Sequence, residues 1–442
     1  MSWVVALALF AGLVLLLVLI RDQRQIIIFC LGIASGYPWV LIGSAMSAWL
    51  VDAGLSRGAV GYFGSIFAVY AFNFLWAPLL DRFALPVVSA LGKRRSWILV
   101  CQVILLFLTA AVAFTDPAVS LFWTSLVAVS IAVVSATQDI AVDAYRIEHI
   151  PRDDEAGLSR GAAMATAGWW TGYALIGALP FLLVDLPSFT WQNIYLLLAA
   201  LWVPMILVVL WAKEPAESVD RVIEKANSVG EWLSQTLVAP LKEFFQRNGV
   251  QLAISLLLFI FLFKIGEAFL GRMSIVFYKE VGFSNASIGE YSKIVGWATT
   301  IIFSIVGSQI NRIYGVFRGL LIGGIAMAAS NLMFAYIAAV GPEENLLAIA
   351  VMVDGFTGAI ATVAFVSFIS FLTSHNYSAT QYALMASLGN LGRTTLAATS
   401  GSLVTWLDGN WSLFFIITAL MVVPSLVLLV VVFKKVKGHE TL

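Results

Sequence analysis

Charge is scarce in this chain. Only 11% of the 442 residues are charged, where soluble domains carry about 25%. Cysteine is scarcer still. Cys30 and Cys101 both sit in apolar runs and read as buried thiols with no redox or metal role. The three histidines, His149, His375 and His439, share no metal-ligand spacing, so no metal site is expected. No histidine pair and no serine elbow appears, which argues against an enzyme. Lys+Arg and Asp+Glu both number 25, so the total charge says nothing about partners, and no nucleic-acid partner is expected. What is abundant is apolar surface: 61% of residues are hydrophobic and the mean hydropathy is +0.94. Lipid is spanned only by helices or closed barrels, and long unbroken apolar runs exclude a barrel. The fold class is therefore an all-α polytopic membrane protein.

Residues 3–20 form an apolar run at the lower limit for a spanning helix. No basic segment precedes it and no small-residue cleavage site follows, so it reads as a retained anchor. Twelve further spans are expected at about 26–50, 59–80, 97–114, 118–143, 158–184, 191–212, 249–275, 286–309, 317–339, 345–373, 380–405 and 411–433. If the loop at 81–96 is cytoplasmic, nineteen of the 25 Lys and Arg collect on that side, against Arg57 and Lys279 opposite. The positive-inside bias then puts the carboxyl terminus in the cytoplasm and the amino terminus outside, in the periplasm. The expected domains are 1–24, an extra N-terminal transmembrane helix; 25–212, a six-helix bundle; 213–248, a cytoplasmic linker with an amphipathic helix between about 229 and 245; and 249–442, a second six-helix bundle with a short basic tail.

The two bundles echo each other. Ala77-Pro78-Leu79-Leu80-Asp81-Arg82 precedes the basic cluster Lys93-Arg94-Arg95, and Gly307-Ser308-Gln309-Ile310-Asn311-Arg312 precedes Arg318. Each stretch lies between the second and third span of its half. A small residue, three others, then Asp or Asn with Arg is similar to the loop signature of the major facilitator fold, two six-helix bundles related by a pseudo-two-fold axis. Asp81, Arg82, Arg94, Arg95, Asn311 and Arg312 are read as a conformational latch. Met164 and Met385 form a second echo, in the fifth span of each half. Repeats of this kind place the substrate at their interface near the bilayer midplane.

Polar residues inside the spans point to that interface, because they are costly in lipid and tend to mark pathways. Asp139 and Asp143 stand one helical turn apart after a charge-free run from 118 to 136, with Gln138 beside them. Lys264 and Glu267 share a face in the seventh span, with Arg272 further out. Asp354 lies in the tenth span; Asn390 and Arg393 lie in the eleventh. Asn73 sits beside Trp76 in the second, Trp169 and Trp170 in the fifth, and Tyr37 beside a proline in the first. Together they suit a cavity for a bulky, polar, partly anionic solute, with aromatic faces for sugar rings. Asp139, Asp143, Glu267 and Asp354 are the candidates for proton exchange. Structural roles stay open beside these: an ion pair for Lys264 and Glu267, capping or pairing with the Arg146 region for Asp139 and Asp143, a solvated end for Asp354, and packing for the tryptophans.

Thr137-Gln138-Asp139-Ile140 followed by Asp143 resembles the fourth-span motif of the AmpG muropeptide permeases and their acetyl-coenzyme A transporter relatives. Gly32-Ile33-Ala34-Ser35-Gly36-Tyr37-Pro38, Phe74-Leu75-Trp76-Ala77-Pro78-Leu79-Leu80-Asp81-Arg82, Ala239-Pro240-Leu241-Lys242-Glu243-Phe244-Phe245, Phe263-Lys264-Ile265-Gly266-Glu267-Ala268-Phe269 and Tyr377-Ser378-Ala379-Thr380-Gln381-Tyr382-Ala383-Leu384 are similar to the same family, in order, from about residue 26 to 433. The resemblance implies a proton-motive-force-driven importer of the bacterial inner membrane. Its substrate would be N-acetylglucosaminyl-anhydro-N-acetylmuramic acid, with or without peptide, taken from periplasm to cytoplasm for peptidoglycan recycling, with an effect on β-lactamase induction and β-lactam resistance. It implies no cofactor beyond coupling protons, a small-molecule partner in the lipid bilayer, and a monomer. On that reading Lys264 and Arg272 meet carboxylates, Gln138, Asn73 and Asn390 bond sugar or amide groups, and Asp139, Asp143 or Glu267 exchanges the proton. The chain departs from the family in three ways: an extra amino-terminal span where some members carry two carboxyl-terminal ones, Asn73 where a basic residue is expected, and the added charge of Arg272. The alternatives are an importer of another bulky solute such as a siderophore, then a lipid or acyl-coenzyme A transporter of the same fold.

Overall fold

A computed structural model of the chain describes residues 22–55, 63–83, 85–151, 153–184, 186–215, 228, 231, 234, 238–283, 291, 295–397 and 399–440. The proposed anchor at 3–20 lies outside these residues, as do Arg57, Lys293 and most of the polar segment after residue 215. Backbone amides in lipid must be satisfied within their own segment, and the described chain is accordingly helical. In the first half the helices are α1 (Gln23–Leu50), α2 (63–82), α3 (Lys93–Val112), α4 (Leu121–Glu148), α5 (155–184) and α6 (Trp191–Trp211). In the second half they are α7 (Val250–Val281), α8 (Gly296–Tyr314), α9 (Val316–Val340), α10 (Glu344–Leu372), α11 (Ser378–Ala397 and Ser400–Trp406) and α12 (Trp411–Lys434). Between the halves, Ala239–Asn248 forms a linker helix that buries Pro240 and Phe244. The expected amphipathic stretch around 229–238 falls largely outside the described residues.

Eight of these helices are long and apolar enough to cross a membrane: α1, α3, α4, α6, α7, α9, α10 and α12. The other four, α2, α5, α8 and α11, hold equivalent places, second and fifth in each half. They also share a location. α5 packs on α8 and α10, and α11 packs on α2 and α4, so these helices face the opposite half. Two of them are also irregular, as α1 is at its π turn Val40–Ser44. α2 passes through tight turns at Gly64–Ala68 and Asn73–Leu75, and α5 loosens into a π turn at Thr171–Leu175. Such breaks are tolerated in membranes where neighbouring helices resatisfy the backbone.

Close approach within each half rests on glycine. A Cβ on Gly36 would lie 2.0 Å from the Trp169 carbonyl oxygen, and one on Gly168 would lie 2.2 Å from that of Phe29. The equivalent pair in the second half is α7 with α11, where a Cβ on Gly392 would lie 2.2 Å from the Phe261 carbonyl oxygen. Small residues of this kind let helix backbones meet in lipid, where no hydrophobic force drives them together. The first helix of each half is thereby fixed to the fifth, and with it the polar residues both carry.

Candidate functional site: the interface between the two bundles

The end of the molecule that carries residues 81–96 is sealed by charge. The Arg94 guanidinium is fully buried. Its Nη2 donates to Asp81 Oδ1 (2.7 Å), Glu148 Oε1 (2.5 Å) and Ser378 Oγ (2.8 Å), its Nε to Glu148 Oε2 (2.9 Å), and its Nη1 to the Leu80 carbonyl (2.8 Å). Asp81 then reaches across to the second half. Its carboxylate accepts from the backbone N–H of Ala379 (3.2 Å) and Thr380 (2.8 Å) and from Thr380 Oγ1 (2.6 Å). These are the unpaired amides at the start of α11, so Asp81 caps in trans a helix whose positive end favours a carboxylate. Glu148 adds an acceptor for the Ser378 hydroxyl at 2.5 Å. Arg95 holds the α6 end through the carbonyls of Val209 (3.0 Å) and Leu210 (2.9 Å).

One layer deeper lies a second inter-half cluster. Arg146, also fully buried, donates to Asp143 Oδ1 (3.1 Å) and to Ser370 Oγ of α10 (3.0 Å), and stands 5.2 Å from the centre of the Tyr382 ring on α11. Beside it, Ser159 of α5 and Ser367 of α10 share a hydrogen bond of 3.1 Å, and Asn311 Nδ2 reaches the same Ser367 at 3.4 Å. Deeper again, Ser387 of α11 donates to Asn73 Oδ1 of α2 at 2.8 Å.

Each half contributes a polar group of its own at depth. In the second half, α7 breaks at Lys264. That residue is buried, pairs with Glu267 and donates to Thr362 Oγ1 of α10 at 2.7 Å. Asp354 accepts from Ser330 at 3.1 Å, and its charge reaches both Lys264 and Glu267, as does that of Arg393. In the first half, Asp139 neighbours Ser35 of α1, Tyr70 of α2 and Cys101 of α3. Above them stands an aromatic wall from three helices. Trp39 stacks on Phe67 (4.5 Å between centroids), touches Tyr70 (4.9 Å) and meets Trp169 edge-on (5.8 Å), and Trp169 stacks on Tyr173 (5.2 Å). Trp39, Phe67, Trp169, Trp170 and Tyr173 all remain half-buried, which leaves ring faces for a ligand.

The residues proposed from sequence are thus distributed unevenly. Asp81, Arg94 and Arg95 come together at the sealed end. Asn311 joins the neighbouring serine layer, whereas Arg312 is exposed and turns to Gln309 on its own helix (3.4 Å); Arg82 is half-buried at the end of α2. Gln138 is fully buried, its Nε2 donating to the Ala34 carbonyl (2.9 Å), so it ties α4 to α1. Tyr37 is fully buried as well, bonding the Leu198 carbonyl (2.6 Å) against Trp202. Trp76 donates to Thr137 Oγ1 (3.0 Å) within its own half. Asn390, Arg393 and Arg272 are exposed. The residues sequence reasoning missed are Glu148, Ser378, Thr380, Tyr382, Thr362, Trp39, Phe67 and Tyr70. Glu148 and Trp39 adjoin stretches already singled out, and Ser378, Thr380 and Tyr382 lie inside the Tyr377 to Leu384 stretch, which pointed to the family but not to their partners.

The comparisons with known proteins agree with this geometry. Residues 28–338 match the Major Facilitator Superfamily. The chain is 34% identical over 412 residues to the anhydromuropeptide permease of Escherichia coli (strain K12), covering 93% of this chain and 80% of that one. It is 31% identical over 418 residues to putative transporter AmpG 4 of Rickettsia conorii, covering 94% and 98%. Among solved structures it shares the fold of the proton:xylose symporter XylE (TM-score 0.65, 15% identity, 92% and 94% covered) and of the human organic anion transporter MFSD10 (TM-score 0.65, 18% identity, 92% and 99% covered). A multi-pass helical chain with two bundles meeting at a polar interface, and with relatives that are permeases rather than enzymes, belongs to the major facilitator superfamily, as a transporter of the AmpG type.

Proposed function

We propose that the chain imports anhydromuropeptides across the bacterial inner membrane, from periplasm to cytoplasm, driven by the proton motive force. The observation that carries this reading is the 34% identity over 93% of the chain with an anhydromuropeptide permease. The geometry supports it. The basic end, cytoplasmic by the charge bias, is latched, so substrate enters from the opposite side. The aromatic wall of Trp39, Phe67 and Trp169 offers faces for two sugar rings. Across the interface, Lys264 and Arg393 offer cations for the carboxylates of a muramic acid or a peptide stem. Of the four carboxylates proposed for coupling, Asp143 is paired with Arg146 and Glu267 with Lys264, and Asp354 lies within reach of Lys264. Asp139 has no such cation among its interacting neighbours, and we assign it the coupling proton. The protein works as a monomer without a cofactor, and its delivery of cytoplasmic muropeptides bears on β-lactamase induction.

The test is uptake of labelled anhydro-disaccharide, with and without peptide, into proteoliposomes under an inward proton gradient. Uphill uptake that is collapsed by a protonophore and competed by unlabelled disaccharide is the expected result. Folded protein that accumulates neither form refutes the substrate assignment.

A further inference from the structure

We propose that Asp139, Gln138 and Ser35 form a binding site for a sodium ion, at the junction of α1 and α4 inside the first bundle. Two buried oxygens there have no hydrogen-bond partner: Asp139 Oδ1 and Gln138 Oε1. Gln138 is shut off from solvent completely. Its amide orientation is fixed, because Nε2 must face the Ala34 carbonyl to which it donates, and this leaves Oε1 as the orphan. The hydrogen-bonding neighbour of Asp139 is Ser35, the next residue along α1. Gln138 is thus tied to α1 at Ala34 and Asp139 to the next residue, Ser35, each keeping one unpartnered oxygen. Behind them, Tyr70 donates to Ser135 at 2.8 Å, one turn before Asp139 on the same helix.

Buried polar atoms in native proteins are almost always satisfied, and an orphan acceptor within a membrane span is costly. Two such acceptors on adjacent residues call for a donor or a cation. Apart from a proton on Asp139 itself, the surrounding side chains supply neither. Ser35 is already used, the Tyr70 hydroxyl is turned to Ser135, the Cys101 thiol of α3 is a weak donor, and Asp143, one turn along α4, adds negative charge and is itself held by Arg146. The donor set defines the occupant. One carboxylate with neutral amide and hydroxyl oxygens is a hard, oxygen-only set, and its single negative charge balances a monovalent ion.

Sodium at this site would compete with the proton assigned to Asp139. Its place in transport rests on that reading, but its existence does not, because binding can be measured without substrate. The experiment is the thermal stability of the purified full chain in detergent at pH 8, titrated with sodium chloride against choline chloride at constant ionic strength, with radioactive sodium binding as the second readout. The expected result is a saturable rise of at least about 2 °C with displaceable sodium binding. The effect should weaken as pH is lowered to 5 and be lost in Asp139→Asn. Gln138→Leu, which keeps the carboxylate, should weaken apparent sodium affinity about tenfold. If Asp139→Asn does not fold, Ser35→Ala carries the same expectation in milder form. A folded wild-type protein that binds no sodium and whose melting temperature responds to pH alone overturns the proposal and leaves the proton as the sole occupant. Failure of muropeptide uptake alongside intact sodium binding would refute the substrate instead.

Discussion

Neutralising Asp81 should open the sealed end. The Asp81 carboxylate accepts three hydrogen bonds from the first turn of α11 and one from Arg94. Asn at this position keeps the size, but it loses the charge and aims an amide N–H₂ at backbone donors. A carboxylate at a partly buried helix N-terminus is worth up to about 2 kcal/mol, and each hydrogen bond to a charged group about 1.5–3 kcal/mol. Arg94 remains held by Glu148 in the variant, so part of the network survives. A net bias of about 2–4 kcal/mol toward the opened form is the result, or roughly a 30- to 700-fold shift in the equilibrium. Ala383 reports it. Its side chain is buried in the apolar cluster that joins α11 to α2 and α4, and separation of the halves would expose it. With Cys30 and Cys101 replaced by Ser, an introduced Ala383→Cys should react with maleimide slowly, and at least tenfold faster once Asp81→Asn is added. Equal labelling rates in a folded protein would mean that the capped α11 terminus does not hold the halves together.

Asp139→Asn should abolish uphill accumulation of substrate in proteoliposomes while leaving counterflow exchange of preloaded substrate; loss of both together would point to a folding or binding role. Lys264→Gln and Glu267→Gln should each lower the melting temperature, because stranding one charge of a buried pair costs about 3–5 kcal/mol. The double substitution should regain most of that stability without regaining uptake. Gly36→Val should yield no folded protein, since even a Cβ would meet the Trp169 carbonyl oxygen at 2.0 Å, whereas Gly271→Ala, with nothing within 4 Å, should melt as the parent does. Trp39→Ala should raise the KM for anhydro-disaccharide about two- to tenfold, the value of one aromatic stacking contact, with little change in maximal rate.

How much of this was legible in the sequence depended on whether the information was local. The bundles, their boundary and the Asp81 to Arg95 loop follow from apolar runs and from a motif repeated at matching places. Its partners do not. Glu148 stands in the stretch that drew attention to α4, yet nothing at a separation of 54 residues from Arg94 marks the two as a pair, and Ser378 and Thr380, though inside the Tyr377 to Leu384 motif, show no role until α11 is placed against α2. Gln138 shows the reverse problem. A polar side chain in an apolar run signals a partner, but not whether that partner is a substrate or, as here, the backbone of a neighbouring helix. The aromatic wall was half visible, because Trp169 and Trp170 are adjacent in sequence while Phe67 and Tyr70 reach them only through the irregular turns of α2.

The two repeats are not equivalent at the sealed end, and the difference bears on how the molecule opens. Asp81 crosses to the start of α11. Its counterpart Asn311 carries no charge and reaches Ser367 within its own half, with Oδ1 left unpartnered. The helix it would serve, α5, caps itself through Asp154, which accepts from Gly157 N at 2.7 Å. Around α5 the contact with the second half is broad and mainly apolar, through Ala162 and Ala163 with Val363, and through Leu158 and Met164 with Ile305, with the neutral Ser159–Ser367 hydrogen bond beside them. One seam is therefore a charge lock that neutralising a single carboxylate can release, and the other is a packed contact largely indifferent to protonation. The expected motion is that of a latch and a hinge, with α2 and α11 parting first while α5 pivots on α8. Asn311→Asp tests this asymmetry. It would place an extra carboxylate among serines at the pivot, with no helix start free to receive it. It should destabilise the protein rather than tighten the closed form; slower Ala383→Cys labelling at unchanged melting temperature would instead show that α5 accepts a second lock.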